Sequence, residues 1–240
     1  MADSQSGHTS AHHPLADRLR PDSFDQVVGQ DHLTGPGQAL SRMAETGRVQ
    51  SLVFWGPPGT GKTTLARLLA TIGSLEFVQL SAIFSGVADL KKIFSAAAVR
   101  REQYKRVTLL FVDEIHRFNR AQQDSFLPYV ENGTIILVGA TTENPSFELN
   151  GALLSRMQVL VLKRLDETAL KQLLVRAEQH LGRSLPLAQQ SRAALISMAD
   201  GDGRYLLNMV ETVVELADPD APLEPEALAR LVQRRAAVHD

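Results

Sequence analysis

Short runs of consecutive apolar residues alternate with helical patterns from about residue 15 to residue 162. The candidate strands are 52–55, 77–80, 108–112, 134–140 and 158–162. Continuous apolar runs of this kind are typical of parallel strands that are buried on both faces. The helical stretches between them are 62–72, 87–104, 121–132 and 149–154. This alternation predicts a three-layer α/β domain, in which helices cover both faces of a parallel sheet.

Beyond residue 163 the strand pattern stops and only helical periodicity remains. The predicted helices are 167–181, 187–199, 204–216 and 225–237. Asp166 is expected to cap the start of the first of them and Gly182 to end it. The chain is therefore expected to contain an α/β domain at 15–163 and a small all-helical domain at 164–240. Residues 1–14 are rich in Ser, His and Gly, which predicts a disordered tail and not a signal peptide.

Composition narrows the functional classes. With 44% hydrophobic residues in 240, the chain has ample material for a packed core, and no apolar stretch approaches the length of a membrane span. The absence of cysteine excludes disulfides and thiolate metal sites and fits a reducing compartment. A net charge of −2 gives no general basic field, so any contact with nucleic acid requires a local patch or an assembly.

A complete phosphate-binding motif follows the first candidate strand and precedes a helical stretch. Its residues, with the one after it, are Gly56, Pro57, Pro58, Gly59, Thr60, Gly61, Lys62, Thr63 and Thr64. In this context backbone N–H groups surround the β- and γ-phosphates, and the helix dipole favours the negative charge. Lys62 would reach the phosphates and the Thr63 hydroxyl would bind Mg²⁺. A plain glycine-rich turn is the alternative, and the flanking strand and helix argue against it.

A second motif lies at the end of the strand 108–112, where Asp113 and Glu114 follow the apolar run. Asp113 can hold Mg²⁺ opposite Thr63, and Glu114 can polarise a water for attack on the γ-phosphate. Two acidic residues at a helix N-terminus would look the same. The upstream phosphate motif favours catalysis, so the pair predicts hydrolysis of the nucleotide. His116 is assigned a structural or supporting role outside the active site.

A third strand end carries Thr141, Thr142, Glu143 and Asn144. If the strands have the usual spatial order, a polar group here lies between the phosphate motif and the acidic pair. It could then contact the γ-phosphate or the attacking water. Ordinary Thr and Asn turn chemistry explains the same residues, and on local sequence alone it is the better explanation.

Together these residues resemble the AAA+ ATPases and, within them, the replication-associated recombination protein A family, which has the Werner-helicase-interacting ATPase as its eukaryotic relative. The segments that carry the resemblance are 55–64, 111–119, 122–128 and 139–150. The last two are the most particular to this family, and the resemblance extends over nearly everything from Pro14 onward. It implies a P-loop NTPase (AAA+) fold of the clamp-loader-like clade, followed by a small helical lid.

The resemblance also implies roles for individual residues. Thr142 resembles sensor 1, which aligns the hydrolytic water, with Thr141 as the neighbouring candidate. Arg156 lies in a Ser-Arg motif and would be an arginine finger that reaches the ATP site of a neighbouring subunit, with a surface salt bridge as the alternative. Arg204 resembles sensor 2 in the lid and would point toward the γ-phosphate. Tyr205 departs from the family pattern, which has Arg or Ala at this position.

The region that forms the adenine pocket in the family corresponds to 15–20 and to Val27, Val28 and Gly29. Family members continue past the lid into a helical oligomerisation domain, which this chain is expected to lack. The resemblance implies ATP and Mg²⁺ as cofactors, with DNA junctions or ends and single-stranded-DNA-binding protein as partners. It further implies a homo-oligomer in the full-length form and a cytoplasmic, nucleoid-associated location without membrane contact.

The function implied is DNA-dependent ATP hydrolysis that remodels DNA or protein–DNA complexes at stalled replication forks, gaps or DNA ends. The alternative is a clamp-loader subunit that opens a sliding clamp with the same site. A local basic group around the helix 87–104 could contact DNA, with a solvated helix face as the other explanation: Lys91, Lys92, Arg100, Arg101, Lys105 and Arg106. Phe84 could stack on a base or belong to the core.

Overall fold

The protein contains one five-stranded sheet in which every pairing is parallel. A computed structural model describes residues 13–218 and 221–236. The strands are β1 (Leu52–Trp55), β2 (Glu76–Ser81), β3 (Thr108–Asp113), β4 (Ile135–Thr141) and β5 (Gln158–Val161). Their spatial order is β2-β3-β4-β1-β5, which confirms that the end of β4 lies between those of β3 and β1.

Helices before and between the strands cover both faces of the sheet. They are α1 (Leu15–Arg18), α2 (Asp31–Thr34), α3 (Ala39–Thr46), α4 (Lys62–Ile72), α5 (Val87–Tyr104), α6 (Arg120–Asp124), α7 (Leu127–Glu131), α8 (Pro145–Glu148) and α9 (Gly151–Leu154). The predicted helix 121–132 is two helices, because Pro128 occupies the first turn of α7, where a missing N–H costs nothing. The predicted helix 149–154 begins only at Gly151, since the Asn150 side chain accepts the Leu153 N–H at 2.7 Å.

Alternate residues of β1 pack on opposite faces of the sheet. Leu52 and Phe54 belong to the cluster that includes α4, while Val53 belongs to the cluster that includes α5. All three are 0% exposed. The continuous apolar run therefore reflects burial on both faces, as predicted.

The lid consists of α10 (Glu167–Leu181), α11 (Gln189–Ala199), α12 (Gly203–Leu216) and α13 (Pro225–Ala236) around its own apolar core. Asp166 caps α10 by accepting the Ala169 N–H at 2.8 Å, and Gly182 ends it with φ +67°, as expected. The short helix α1 packs here too: Leu15 joins the lid core, and its N–H donates to Glu211 at 3.0 Å. Within the described residues, no helix is long and apolar enough to cross a bilayer.

Two predicted segments fall partly beyond the described ranges. Residues 1–12 of the predicted disordered tail lie outside them, and so does position 237 at the end of the last predicted helix. Those predictions therefore stay predictions.

Candidate active site

The phosphate motif forms a tight loop between β1 and α4. Gly59 and Gly61 have φ of +67° and +101°, values that L side chains rarely adopt, so the loop requires glycine at both positions. The loop delivers the chain to the N-terminus of α4, which begins at Lys62. Free backbone N–H groups at a helix start, aligned with its dipole, make this a site for an anion.

Lys62 folds back over the loop. Its Nζ donates to the carbonyl oxygens of Gly56 at 2.8 Å and Pro57 at 2.7 Å. Burial lowers the pKa of Lys62 from its usual 10.5, although the carboxylates of Asp113 and Glu114 act in the opposite direction. The structure thus assigns Gly56 and Pro57 to holding the lysine, a contribution that the motif alone does not reveal.

One cavity of about 230 Å³ collects most of the predicted site residues. Its lining includes Val27, Val28, Pro58, Gly59, Thr60, Gly61, Lys62, Thr63, Thr64, Asp113, Glu114, Thr142 and Arg204. The ends of β3 and β4 and the loop after β1 meet at one edge of the sheet, which brings the acidic pair and Thr142 to the phosphate loop. The lid contributes Arg204 from the first turn of α12.

Gly29 was predicted to bind the nucleotide together with Val27 and Val28. It does not line this cavity but a neighbouring one, at the joint between the N-terminal segment and the lid. Its φ is +71°, and a Cβ there would lie 2.8 Å from Leu165 Cδ2 and 3.1 Å from Ala169 Cβ. Gly29 therefore permits close packing against the lid, while Val27 and Val28 line the cavity, and contact of any of the three with a base stays a prediction.

Arg156 lies away from the cavity. Its Nε and Nη2 contact Glu131 Oε1 at 2.8 and 2.6 Å, and its Nη1 donates to the Ala152 carbonyl at 2.7 Å. Within one chain Arg156 therefore forms a surface salt bridge, which the sequence analysis gave as the alternative to an arginine finger. Action on a neighbouring subunit stays a prediction.

His116 is closer to the chemistry than the sequence suggested. Its side chain is 8% exposed, and its Nδ1 lies 3.3 Å from Glu114 Oε2. The same nitrogen lies 2.9 Å from the Thr141 hydroxyl at the end of β4. Thr141 faces this histidine, whereas its neighbour Thr142 lines the cavity. The two candidates for sensor 1 therefore have different surroundings.

Arg176 is a cavity residue that no sequence motif indicates. It lies on α10, lines the cavity, and donates from Nη2 to the Gln26 carbonyl at 2.8 Å. Its Nη1 is buried and has no hydrogen-bond partner in the part of the chain that the structure describes. A buried donor of this kind fits a ligand that supplies an acceptor atom. A single arginine on an amphipathic helix gives no sequence signal of such a role.

The predicted basic group divides between the two ends of α5. Arg100 donates to Thr108 at 2.7 Å, Arg101 to the Asn132 carbonyl at 2.6 Å, and Arg106 pairs with Glu76 at 3.2 Å. Lys91 and Lys92 lie roughly 14 Å away along the helix, exposed and close in sequence to Phe84. Phe84 is 86% exposed, so it does not belong to the core.

Comparison with known proteins agrees with this geometry. Residues 52–165 match the family described as "ATPase family associated with various cellular activities (AAA)". In fold the chain is similar to the RuvB Holliday junction branch migration motor of Thermotoga maritima, with a TM-score of 0.71 and 24% identity over 90% of this chain and 72% of that one.

The sequence relatives are more specific. Replication-associated recombination protein A of Escherichia coli K12 is 43% identical over 236 residues, which is 95% of this chain and 53% of that protein. The protein of the same name from Haemophilus influenzae is 46% identical over 85% of this chain and 47% of its own length. The chain thus spans about half the length of the curated relatives it matches. Residues 52–165 thus match the AAA ATPases, and over most of its length the chain is similar to replication-associated recombination protein A.

Proposed function

We propose that this chain is a DNA-dependent ATPase that hydrolyses ATP to ADP and phosphate. The cycle would remodel DNA or protein–DNA complexes at stalled replication forks, gaps or DNA ends. The observation that carries the proposal is the single cavity into which the phosphate loop, Asp113, Glu114, Thr142 and Arg204 converge. The names of the relatives, which refer to replication-associated recombination, support the biological setting.

The side chains around the cavity suit an ATP–Mg²⁺ complex. The hydroxyl of Thr63 and the carboxylate of Asp113 are oxygen ligands of the kind that Mg²⁺ prefers, and the bound ion would neutralise charge on the phosphates. The buried Nη1 of Arg176 would find an acceptor on the base or ribose.

In the proposed reaction a water oxygen forms a bond to the γ-phosphorus while the bond from that phosphorus to the bridging oxygen of ADP breaks. Glu114 accepts the proton of the water, and Thr142 orients the water or the phosphate. Lys62 and Arg204 donate to phosphate oxygens, on which negative charge is distributed in the transition state. Lys62 exchanges its two backbone acceptors for these oxygens.

The hydrolytic step is tested with Glu114→Gln, which keeps the shape of the side chain and removes the base. We expect ATP binding to persist and turnover to fall by about 100-fold or more. Glu45→Gln, a change at an exposed position of α3, is the matched control and should leave both unchanged. Normal turnover by Glu114→Gln would refute the role of Glu114.

DNA contact is proposed for the surface formed by Ile83, Phe84, Lys91 and Lys92 at the start of α5. Ile83 and Phe84 are 57% and 86% exposed, which suits stacking on bases, and the two lysines suit phosphate contacts. Lys91→Glu combined with Lys92→Glu should abolish stimulation of the ATPase by DNA and leave basal turnover intact. The matched control is a double reversal at Arg42 and Arg48, which are exposed and lie on the chain before β1.

The preferred DNA is identified by measuring ATPase rate against forks, gaps, ends and closed circles, with protein mass determined in the same buffer. Stimulation by ends or gaps without any sliding clamp supports the proposal. A strict requirement for a clamp would overturn it. A nucleoid location and a complex with single-stranded-DNA-binding protein belong to the same proposal, and co-purification from a nucleoid fraction with and without nuclease tests both.

A shared site between subunits is proposed for the full-length homo-oligomer. Arg156 would leave Glu131 and reach the phosphates bound by its neighbour. Arg156→Ala and Glu114→Gln proteins should each be inactive, yet a mixture should recover activity, because some interfaces then combine an intact Glu114 with an intact Arg156. Mixed assemblies without recovered activity would refute a finger that acts in trans.

A further inference from the structure

A histidine links the proposed general base to the end of the neighbouring strand. His116 Nδ1 lies 2.9 Å from Thr141 Oγ1 and 3.3 Å from Glu114 Oε2. The ring belongs to a short 3₁₀ turn, Ile115–Arg117, in which Ile115 is 0% exposed. That turn packs closely on β4, since a Cβ at Gly139 would lie 3.0 Å from Ile115 Cδ1. The turn that carries the ring is therefore fixed against β4.

The hydrogen-bond partners determine which ring nitrogen carries the proton. An ionised carboxylate only accepts, so a favourable contact with Glu114 requires a proton on Nδ1. The Thr141 hydroxyl can then donate to the Glu143 carbonyl at 3.3 Å, while its oxygen accepts the Glu143 N–H at 3.0 Å. Its remaining lone pair accepts from Nδ1. One N–H of His116 thus lies between two acceptors, and Thr141 is the nearer one.

We propose that His116 is a positioning residue for ATP hydrolysis: by sharing its Nδ1–H between Thr141 and Glu114, it orients the carboxylate of Glu114 toward the attacking water. This inference rests on the proposed function, because it requires Glu114 to act as the base. It goes further by giving the base a physical connection to β4. Thr141 is covalently joined to Thr142, which lines the cavity. When Thr142 contacts the γ-phosphate, the end of β4 shifts. This shift changes how strongly the His116 Nδ1–H donates to Glu114.

Substitutions separate this role from simple filling of space. His116→Leu keeps the bulk and removes the donor, and should lower kcat about tenfold, a fraction of what the base itself contributes. His116→Asn places an amide N–H near the position of Nδ1 and should retain most of the activity. Thr141→Val should lower kcat and Thr141→Ser should preserve it. ATP affinity should stay within about twofold in all four, since none of them removes a phosphate contact. His180→Asn, at an exposed position of α10, is the control.

Two measurements test the connection itself. In single-turnover reactions, His116→Leu should cause no further loss in the Glu114→Gln background, because the histidine acts through that carboxylate. A ¹H–¹⁵N spectrum of the histidine side chains should show His116 with its proton on Nδ1, and its signal should move in both Glu114→Gln and Thr141→Val. This spectrum requires no turnover and reports on His116 even if the leucine variant fails to fold.

The possible contrary results distinguish failure of the positioning role from failure of the proposed function. Wild-type kcat in His116→Leu, equal losses in the Leu and Asn variants, additive losses with Glu114→Gln, or an Nδ1 without a proton would each overturn the positioning role. Absence of turnover in the wild-type protein with DNA and Mg²⁺ would instead count against the proposed function. In that case the spectrum alone decides whether the shared N–H exists.

Discussion

The lid meets the phosphate loop at Gly203, and a single methyl group there should weaken ATP binding. The Gly203 N–H donates to the Gly59 carbonyl at 3.2 Å. A Cβ on residue 203 would lie 2.8 Å from Leu165 Cδ1, 2.8 Å from Leu173 Cδ1 and 3.3 Å from the Gly59 oxygen. Methyl groups do not approach this closely, so Gly203→Ala requires either the leucines to move or α12 to retreat from the loop.

The size of the effect follows from two opposing contributions. Forcing an extra methyl group into a packed site costs roughly 1–3 kcal/mol. Alanine favours a helix over glycine by at most about 1 kcal/mol, which offsets part of that cost. With about 2 kcal/mol for the first contribution, the net penalty on lid docking is about 1–2 kcal/mol, which corresponds to an ATP affinity lower by roughly five- to thirtyfold. Because Arg204 follows Gly203 directly, its guanidinium would move away from the phosphates with the helix.

A fluorescent ATP analogue measures the change in affinity, and thermal unfolding shows whether the fold survives. Gly151→Ala is the matched control: Gly151 is also the first residue of a helix, after a capping Asn150, and a Cβ there meets nothing within 4 Å. It should leave affinity unchanged. Equal affinities for the two alanine variants would refute the reasoning that close docking of α12 at the loop contributes to ATP binding.

Three further predictions follow from the site and the lid. Because burial lowers the pKa of Lys62 below its usual 10.5, its ammonium in the free protein is lost at a lower pH than that of an ordinary lysine; analogue affinity should begin to fall below pH 10.5 as the pH rises, and a flat profile would contradict this. Arg176→Leu should weaken analogue binding by about tenfold, since the buried donor is lost, whereas Arg183→Leu on the exposed lid surface should not. A hydrogen bond from Arg192 lowers the pKa of Glu178 below its usual 4.5, so this pair stabilises the lid above that pH and less as the pH falls through the folded-state pKa. Glu178→Gln should therefore lower the unfolding temperature at pH 7, and the decrease should become smaller as the pH falls below 4.5; an equal decrease at every pH would exclude the pair as the cause.

The sequence predicted the sheet and the lid well because their patterns are local. Each strand is a continuous apolar run, and the lid helices have clear periodicity with Asp166 and Gly182 at the ends of the first. The helices before β1 were not predicted, because they are short and their few buried residues, such as Leu15 and Leu33, pack against distant parts of the chain. Their formation depends on tertiary contacts more than on helical periodicity.

Site residues that belong to a sequence motif could be predicted. Residues that come together only through folding could not. Lys62, Asp113 and Glu114 belong to motifs with a physical meaning, and the structure places all three at one cavity. Arg176 carries no motif, and its approach to the cavity depends on how the lid docks. The contact between His116 and Thr141 joins residues 25 positions apart, and no local pattern predicts that distance.

The packing of α1 against α12 has a consequence for how the protein is made. The hydrogen bond from Leu15 to Glu211 spans 196 positions, so the first described helix finds its partner only when nearly the whole lid has been synthesised. Long-range contacts of this kind are slow to form, and the segment from Leu15 to Arg20 stays without this partner until the lid has been synthesised. When this segment docks, it completes the lid core and one wall of the nucleotide cavity. Ala16, Leu19 and Arg20 are part of that wall. Competence to bind nucleotide is therefore expected to be acquired late in synthesis, as the ribosome finishes the last elements of the lid.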